Sequence, residues 1–239
     1  MQPFIICHMI SSIDGRIVPD RWTLPIDGVN RDSLVNQYYD VEKTYDADGW
    51  IIGRATASEH FVKTTELRKG TTNQFPREPY VAQNLTERLA IFMDPHGKLQ
   101  YERSDIEGDG IVAVLADNVA DDYLQTLRDN GISYCFAGPD GRSIQKAVAV
   151  LGNTFRRRKL LLEGGGLING AFLQAGAINE ISLMIYPGVD GVSGIASSFD
   201  WVCATDNEPA RGQALSLLHV EKRDNGVLWL KYKIEKTIP

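Results

Sequence analysis

The sequence has only three cysteines, Cys7, Cys135 and Cys203, far apart and without a CxxC pair. Such usage fits reduced thiols and excludes a disulfide framework or a structural zinc site. Cys7 and Cys135 stand inside apolar strand-like runs, where a thiol behaves as a small core residue. There is no excess of basic residues either: 25 Lys and Arg stand against 31 Asp and Glu, a net charge of -6. That balance argues against a general binder of nucleic acid or of anionic membranes. The one basic cluster, Arg156–Lys159, precedes an apolar strand and reads as a solvated helix end. No apolar stretch could span a bilayer and no charged-then-apolar leader opens the chain, so a cytoplasmic protein is expected. Internal repeats and low-complexity linkers are missing. None of His8, His60, His96 and His219 forms a metal-like pair, and no metal is assigned.

What is present is enough for a substantial core, with 43% hydrophobic and 23% charged residues. Short apolar runs at Phe4–Ile10, Gly49–Ile52, Leu89–Met93, Ile111–Ala116, Ile132–Ala137 and Leu160–Leu162 read as strands, several buried on both faces. Between them lie helical stripes. Leu34, Tyr38, Val41 and Tyr45 form one, capped by Asn30. Val119, Tyr123 and Leu127 form another, stopped by Asn130-Gly131. Ile144, Ala147, Val148, Leu151 and Phe155 form a third, with Ser143 as cap. This alternation predicts an α/β fold, a three-layer αβα arrangement around a mostly parallel sheet. Towards the C-terminus Ile181, Leu183 and Ile185 alternate with more polar neighbours, as in a half-buried strand. Leu215–Lys222 and Val227–Ile234 flank Asp224-Asn225-Gly226, a hairpin signal that makes the sheet mixed. Thr64–Gln83 reads as a long polar surface excursion. A single domain over 1–239 is expected.

The chemistry concentrates in "LLLEGGGLINGAFLQAG" (Leu160–Gly176). A buried strand ends at Leu162, and Leu167, Ile168, Ala171, Phe172 and Ala175 make a short helix. Gly164, Gly165 and Gly166 therefore lie where helix N–H groups and the helix dipole converge, which favours an anion. A tight strand-to-helix turn with close packing explains the same glycines without a ligand. The spacing is not GxGxxG, and no Lys-Ser/Thr follows Gly165 and Gly170, so the usual dinucleotide and nucleoside-triphosphate loops are excluded.

With "SSIDGRI" after the first strand, "WIIGRAT" around the second and "FMDPHGKL" at the third, this loop resembles the reductase domain of bifunctional riboflavin-biosynthesis deaminase/reductases, in stand-alone form. The resemblance spans nearly the whole chain and implies a dihydrofolate-reductase-like fold and a homodimer. It implies hydride transfer from NADPH to the opened ribose of a 5-amino-6-ribosylaminouracil phosphate, a small-molecule substrate. Carried over residue by residue, it gives the cofactor's pyrophosphate to Gly164, Gly165, Gly166, Leu167, Ile168, Asn169, Gly170 and Ala171. Gly53 and Thr56 also contact the cofactor on this reading, and an ordinary strand end and helix cap on the other. Glu163 would touch the substrate, or else satisfy neighbouring loop amides. Asp14 would order water or substrate beside the nicotinamide, or else bond its own turn. The proton donor is left between water and Glu163. The zinc signature of the deaminase half, HxE…PCxxC, is absent.

The departures from the family pattern bear on the substrate. After its GxxT the family has an Asp and a DxPxLxxR pattern, whereas this chain reads "ATASEHFVKTTELRKG", with His60 at the Asp position. A second family arginine falls near Lys43-Thr44, and one lysine is a poor substitute for an arginine fork on phosphate. Pro95 replaces a serine at the adenosine end, leaving His96 or Lys98 for the 2′-phosphate. A different carbonyl, imine or pterin-like substrate therefore stays open, as does a nucleotide-binding protein without catalysis.

Overall fold

The strands, in chain order, are β1 (Phe4–Ser11), β2 (Gly49–Gly53), β3 (Lys63–Thr64), β4 (Leu89–Met93), β5 (Leu99–Gln100), β6 (Asp105–Ile106), β7 (Asp109–Leu115), β8 (Ser133–Phe136), β9 (Lys159–Leu162), β10 (Glu180–Ile185), β11 (Gln213–Lys222) and β12 (Leu228–Lys236). The helices are α1 (Arg31–Lys43), α2 (Arg54–His60), α3 (Asp121–Asp129), α4 (Ile144–Asn153) and α5 (Gly166–Gln174). This computed structural model describes residues 1–64, 73–202 and 208–237. The chain forms two compact units: Met1–Phe4 with Ala47–Leu160, and Ile5–Asp46 with Leu161–Pro239. Among the described residues no helix is long and apolar enough to cross a membrane.

In the first unit β2, β4, β7 and β8 run parallel, with Ile51 beside Ile91, Ile91 beside Val112, and Val114 beside Cys135. Short β6 returns antiparallel along β7. Ile91, Phe92, Val112 and Cys135 are fully buried, as continuous apolar strands require when both faces are covered. The helices follow the expected stripes, with two corrections of detail. Ser143 occupies the N-cap of α4 but makes no side-chain cap bond. Its N–H goes to Ala137 O instead, and Gly138 and Gly141 at positive φ turn the chain into the helix. Arg156–Lys159 is a clamp rather than a solvated helix end, because α4 has already stopped at Asn153. Arg157 donates to the carbonyls of Phe155 and Glu87, and the Arg158 and Lys159 amides donate to Asp48 Oδ2.

The polar excursion is anchored where it can be described; residues 65–72 lie outside the described part. Arg77 donates to the carbonyls of Asp117, Phe75 and Val119 and to Asp121 Oδ1. Tyr80 exchanges backbone hydrogen bonds with Tyr134, and Arg128 stacks over Phe75 and Tyr80. The surface segment is thus anchored by two guanidinium groups and a backbone bridge, which its polar composition does not show. Cys135 is buried; Cys203 falls outside the described residues.

In the second unit β1 runs parallel to β10, which pairs antiparallel with β12, which pairs antiparallel with β11. The hairpin turn is the expected one, with Asn225 and Gly226 both at positive φ. Asn30 caps α1, its side chain accepting from the amides of Asp32 and Ser33. The expected alternation of β10 is corrected. Ser182 and Met184 are fully buried, while Leu183 and Ile185 are partly exposed. The polar neighbour goes inside because His8 and Trp229 both need its hydroxyl.

His8 is fully buried and stacks on Tyr38 at 4.2 Å. Its Nε2 lies 3.1 Å from the Tyr38 carbonyl, which can only accept, so Nε2 carries the proton. Nδ1 then accepts from Ser182 Oγ, which accepts in turn from Trp229 Nε1–H. The neutral tautomer is thus built into the strand pair. Burial lowers the His8 pKa from 6.5 to about 4. An unfolded chain takes up this proton near pH 6.5, and the folded chain only near pH 4, so acidification through that window favours unfolding. Chemical denaturation at pH 5 should give a stability lower than at pH 7 by about 2 kcal/mol from this residue. The difference should shrink by that amount in His8→Gln; an unchanged pH slope in the variant would contradict the assignment.

Candidate functional site

The glycine hinge lies in the second unit, between the end of β9 and α5. Gly164 has φ +101 and sits over Met9, and the Gly164–Gly165 peptide is cis. Gly165 is the N-cap of α5, and the amides of Ile168 and Asn169 both donate to its carbonyl. Gly166 and Gly170 face a second segment of chain. A methyl group on Gly166 would fall 2.2 Å from Ser197 O, and one on Gly170 would fall 1.9 Å from Asp200 O. Their bareness admits the segment 197–201 against the helix, which is the close-packing alternative raised by the sequence. Asn169 is buried, its Nδ2 donating to Ser198 O. Leu167, in the first turn, is 61% exposed, and Gly165, Ile168 and Ala171 are partly exposed.

Segment 197–201 is held by Asp200. Its Oδ1 accepts from Ser197 Oγ and its Oδ2 from Ser197 N, while its own N–H donates to Gly166 O. The next link is the SxDG turn. Ser198 N donates to Gly15 O, Arg16 donates to Ile195 O, and Arg16 bridges Ser197. Within the turn, Asp14 Oδ1 accepts from Ser12 Oγ at 2.7 Å and from Asp190 N at 3.1 Å. Asp14 Oδ2 accepts from Gly191 N at 2.8 Å. The Ser12 hydroxyl and the two loop amides hold the Asp14 pKa down to about 2. It is an ionised strut at neutral pH, not a proton source. Asp190 is fixed in turn by a two-pronged pair with Arg21. Four stretches of chain, near residues 12–16, 164–170, 187–191 and 195–201, are thereby tied into one cluster.

Glu163 immediately precedes the hinge and is partly exposed. The Tyr38 hydroxyl, which contacts His8 O at 3.2 Å, also hydrogen-bonds Glu163. Burial first, and then the Glu163 charge, push the Tyr38 hydroxyl far above its ordinary range. The same two causes raise the Cys7 thiol. A carboxylate so placed beside a helix N-terminus can accept hydrogen bonds from sugar hydroxyls or ring N–H groups while the helix end faces an anion.

The remaining sequence candidates belong to the first unit. Gly53 closes β2 in extended conformation and is the N-cap of α2; Thr56 is partly buried in that helix. His60 ends α2 and is exposed. His96 and Lys98 are exposed on a turn closed by Asp94, which is fully buried and accepts from Leu99 N and the Tyr123 hydroxyl. The sequence reading missed Tyr38, Ser12, Asp190, Ser197 and Asp200. Tyr38 was visible only as a core stripe residue. The two aspartates sit in Gly- and Ser-rich loops without periodicity, and their partners are remote in sequence.

A family model described as the RibD C-terminal domain matches residues 3–229. No match is found among curated proteins. Among solved structures, a pyrimidine reductase-like protein from Corynebacterium diphtheriae superposes with a TM-score of 0.68 at 19% identity, covering 98% of this chain and 92% of that one. RibD of Acinetobacter baumannii gives 0.64 at 20% identity, covering 98% of this chain but 58% of its own. The riboflavin biosynthesis reductase Rib7 of Saccharomyces cerevisiae gives 0.58 at 15% identity, covering 98% and 90%. At these identities the likeness is one of fold.

The contact of Gly170 with Asp200 can be tested without a ligand. Gly170→Ala should lower the unfolding free energy by ~3 kcal/mol or more, because both clashing atoms are backbone-anchored. Gly28→Ala, at φ +83 with nothing within 4 Å, should cost only ~1 kcal/mol by the same denaturation measurement.

Proposed function

Since the chain belongs to the RibD C-terminal domain family, matched over residues 3–229, we propose that it is an NADPH-dependent pyrimidine reductase of riboflavin biosynthesis. Its substrate on this reading is 5-amino-6-(5-phosphoribosylamino)uracil or a close relative. The match spans both compact units, which supports one reductase domain acting as a whole. Cytoplasmic location and a homodimeric state belong to the same proposal.

The observation that carries the reading is the adjacency of Glu163 to the N-terminus of α5. A nine-residue helix with no acidic residue in its first turn presents partly exposed Gly165 and exposed Leu167 two to four residues after a carboxylate. Those residues fit a dinucleotide diphosphate, and the bound cofactor would supply a hydride for the opened ribose. Gly165, Leu167, Ile168 and Ala171 form the surface offered to it. Gly164, Gly166, Asn169 and Gly170 shape that surface from behind. Gly53 and Thr56 contribute further cofactor contacts on the resemblance alone. Glu163 orients the substrate by accepting from its hydroxyl or N–H groups and is the side chain best placed to move a proton. Asp14 acts as a positioning residue, holding the loop 187–191 as a fixed anion.

A second reading, the same reductive chemistry on another heterocycle or carbonyl, has one observation in its favour. Lys43 is 74% exposed at its side chain and turned to Asp40 at 3.8 Å. It does not reproduce a buried arginine fork for a substrate phosphate.

NADPH should raise the melting temperature of the protein and NADH should raise it less; no shift with either would overturn the reductase reading. Consumption of NADPH with the phosphoribosylaminouracil, against a panel of unphosphorylated uracils and pterins, separates the two substrates. Glu163→Gln should lower kcat/KM by ~100-fold with little change in melting temperature. Gly165→Val should instead act chiefly on the KM for NADPH.

A further inference from the structure

The hydroxyl of Tyr38 has one proton and two claimants for it. The carbonyl oxygen of His8, on β1, lies 3.2 Å away, and the Glu163 side chain, just after β9, is hydrogen-bonded to the same hydroxyl. All three residues belong to the second unit. The phenol ring is held on several sides. It stacks on His8 with centroids 4.2 Å apart and planes 9° from parallel, and meets Tyr39 edge-on at 5.3 Å. The Tyr38 backbone carbonyl accepts from His8 Nε2. The phenol oxygen is therefore fixed in place, and only its hydrogen is free to turn.

A carboxylate can only accept, so while Glu163 is ionised the hydroxyl proton belongs to it. A hydrogen bond to a charged acceptor is roughly twice as strong as one to a neutral carbonyl. A protonated carboxyl, by contrast, has an O–H to give. It donates to the phenol oxygen, whose own proton then turns to His8 O. We propose that Tyr38 is a positioning residue that partners Glu163 in both of its charge states, its single proton turning between Glu163 and the His8 carbonyl as Glu163 takes up or releases a proton. The change moves hydrogen atoms and no side chain. The use of this exchange rests on the reductase reading. There, the electron pair of the reduced C=O or C=N bond settles on the oxygen or nitrogen, which takes the proton of Glu163, while the hydride at carbon comes from NADPH. The exchange itself needs neither molecule. The titratable groups facing the pair are Cys7 and His8 of β1 and Tyr39 and Glu42 of α1. Burial keeps the Cys7 thiol and the His8 imidazole neutral at neutral pH. Glu42 is the carboxylate among them; its charge favours the protonated form of Glu163, whereas the bond from Tyr38 favours the ionised form.

The test is the carbon-13 titration of the Glu163 carboxyl in the full chain without ligand, its resonance assigned by its loss in Glu163→Gln. Tyr38→Phe keeps the stacked ring and removes only the oxygen, so it should fold and bind the Glu163 proton ~10-fold more tightly, with the midpoint at higher pH. A fluorinated tyrosine at position 38, a stronger donor of the same shape, should move the midpoint the other way. Tyr39→Phe should leave it in place. His8 takes up its own proton at about pH 4 and is followed separately through its imidazole. A midpoint unchanged or lowered in Tyr38→Phe would overturn the proposal, since a merely structural tyrosine would alter the melting temperature without moving it. With NADPH and the phosphoribosylaminouracil, Tyr38→Phe should displace one limb of the kcat/KM pH profile in the same direction and leave the KM for NADPH unaltered; an undisplaced limb in an active enzyme would overturn the positioning role. A displaced midpoint without turnover in the wild type counts against the reductase reading and for the exchange of hydrogen bonds.

Discussion

The second unit depends on the contact of Asp200 and Ser197 with a face of α5 stripped of side chains at Gly166 and Gly170. Backbone at that distance tolerates no methyl group, and the contact fixes where the helix begins. From it the bonding runs outward through Ser198 to Gly15, through Asp14 to Asp190 and Gly191, and through Asp190 to Arg21. The strongest single link is the two-pronged Arg21–Asp190 pair, whose carboxylate is shielded from solvent. Surface-exposed carboxylates contribute little as isolated pairs, but each here accepts from backbone amides that would otherwise have to find water. The result is a rigid setting for the hinge that begins at Glu163.

The burial of polar groups under α1 follows a different logic. His8, Ser182, Trp229 and Tyr38 satisfy one another around a neutral imidazole, and the arrangement leaves only one tautomer. Tyr38 joins this buried network to Glu163, so the candidate substrate contact is supported from within the core rather than from a loop.

Much of this was legible in the residues themselves. The apolar runs that became β1, β2, β4, β7 and β8 were continuous enough to fix their type, and Asn30, Asn130-Gly131 and Asn225-Gly226 marked caps and turns through φ/ψ preferences. The hinge was visible because three consecutive glycines are costly without a reason. What stayed hidden was the reason for two of the relevant glycines. Gly166 and Gly170 answer to Ser197 and Asp200, some thirty residues away, and sequence spacing carries no information on that approach. The burial of Ser182 was hidden likewise, since its partners His8 and Trp229 are brought to it only by the strand register. Phe75–Tyr80 lies at the surface, as its polarity implied; what polarity could not show is that Arg77, donating to carbonyls, anchors it.

The threading of the chain has a kinetic consequence. Residues 5–46 share a unit with residues 161–239, and Ile6 pairs with Glu180. During synthesis β1 is made first yet has to wait until β10 emerges, while the intervening segment can complete its own strand–helix repeats. Such late, far-separated pairing slows assembly and leaves an apolar strand exposed on the nascent polypeptide, a natural client for a chaperone.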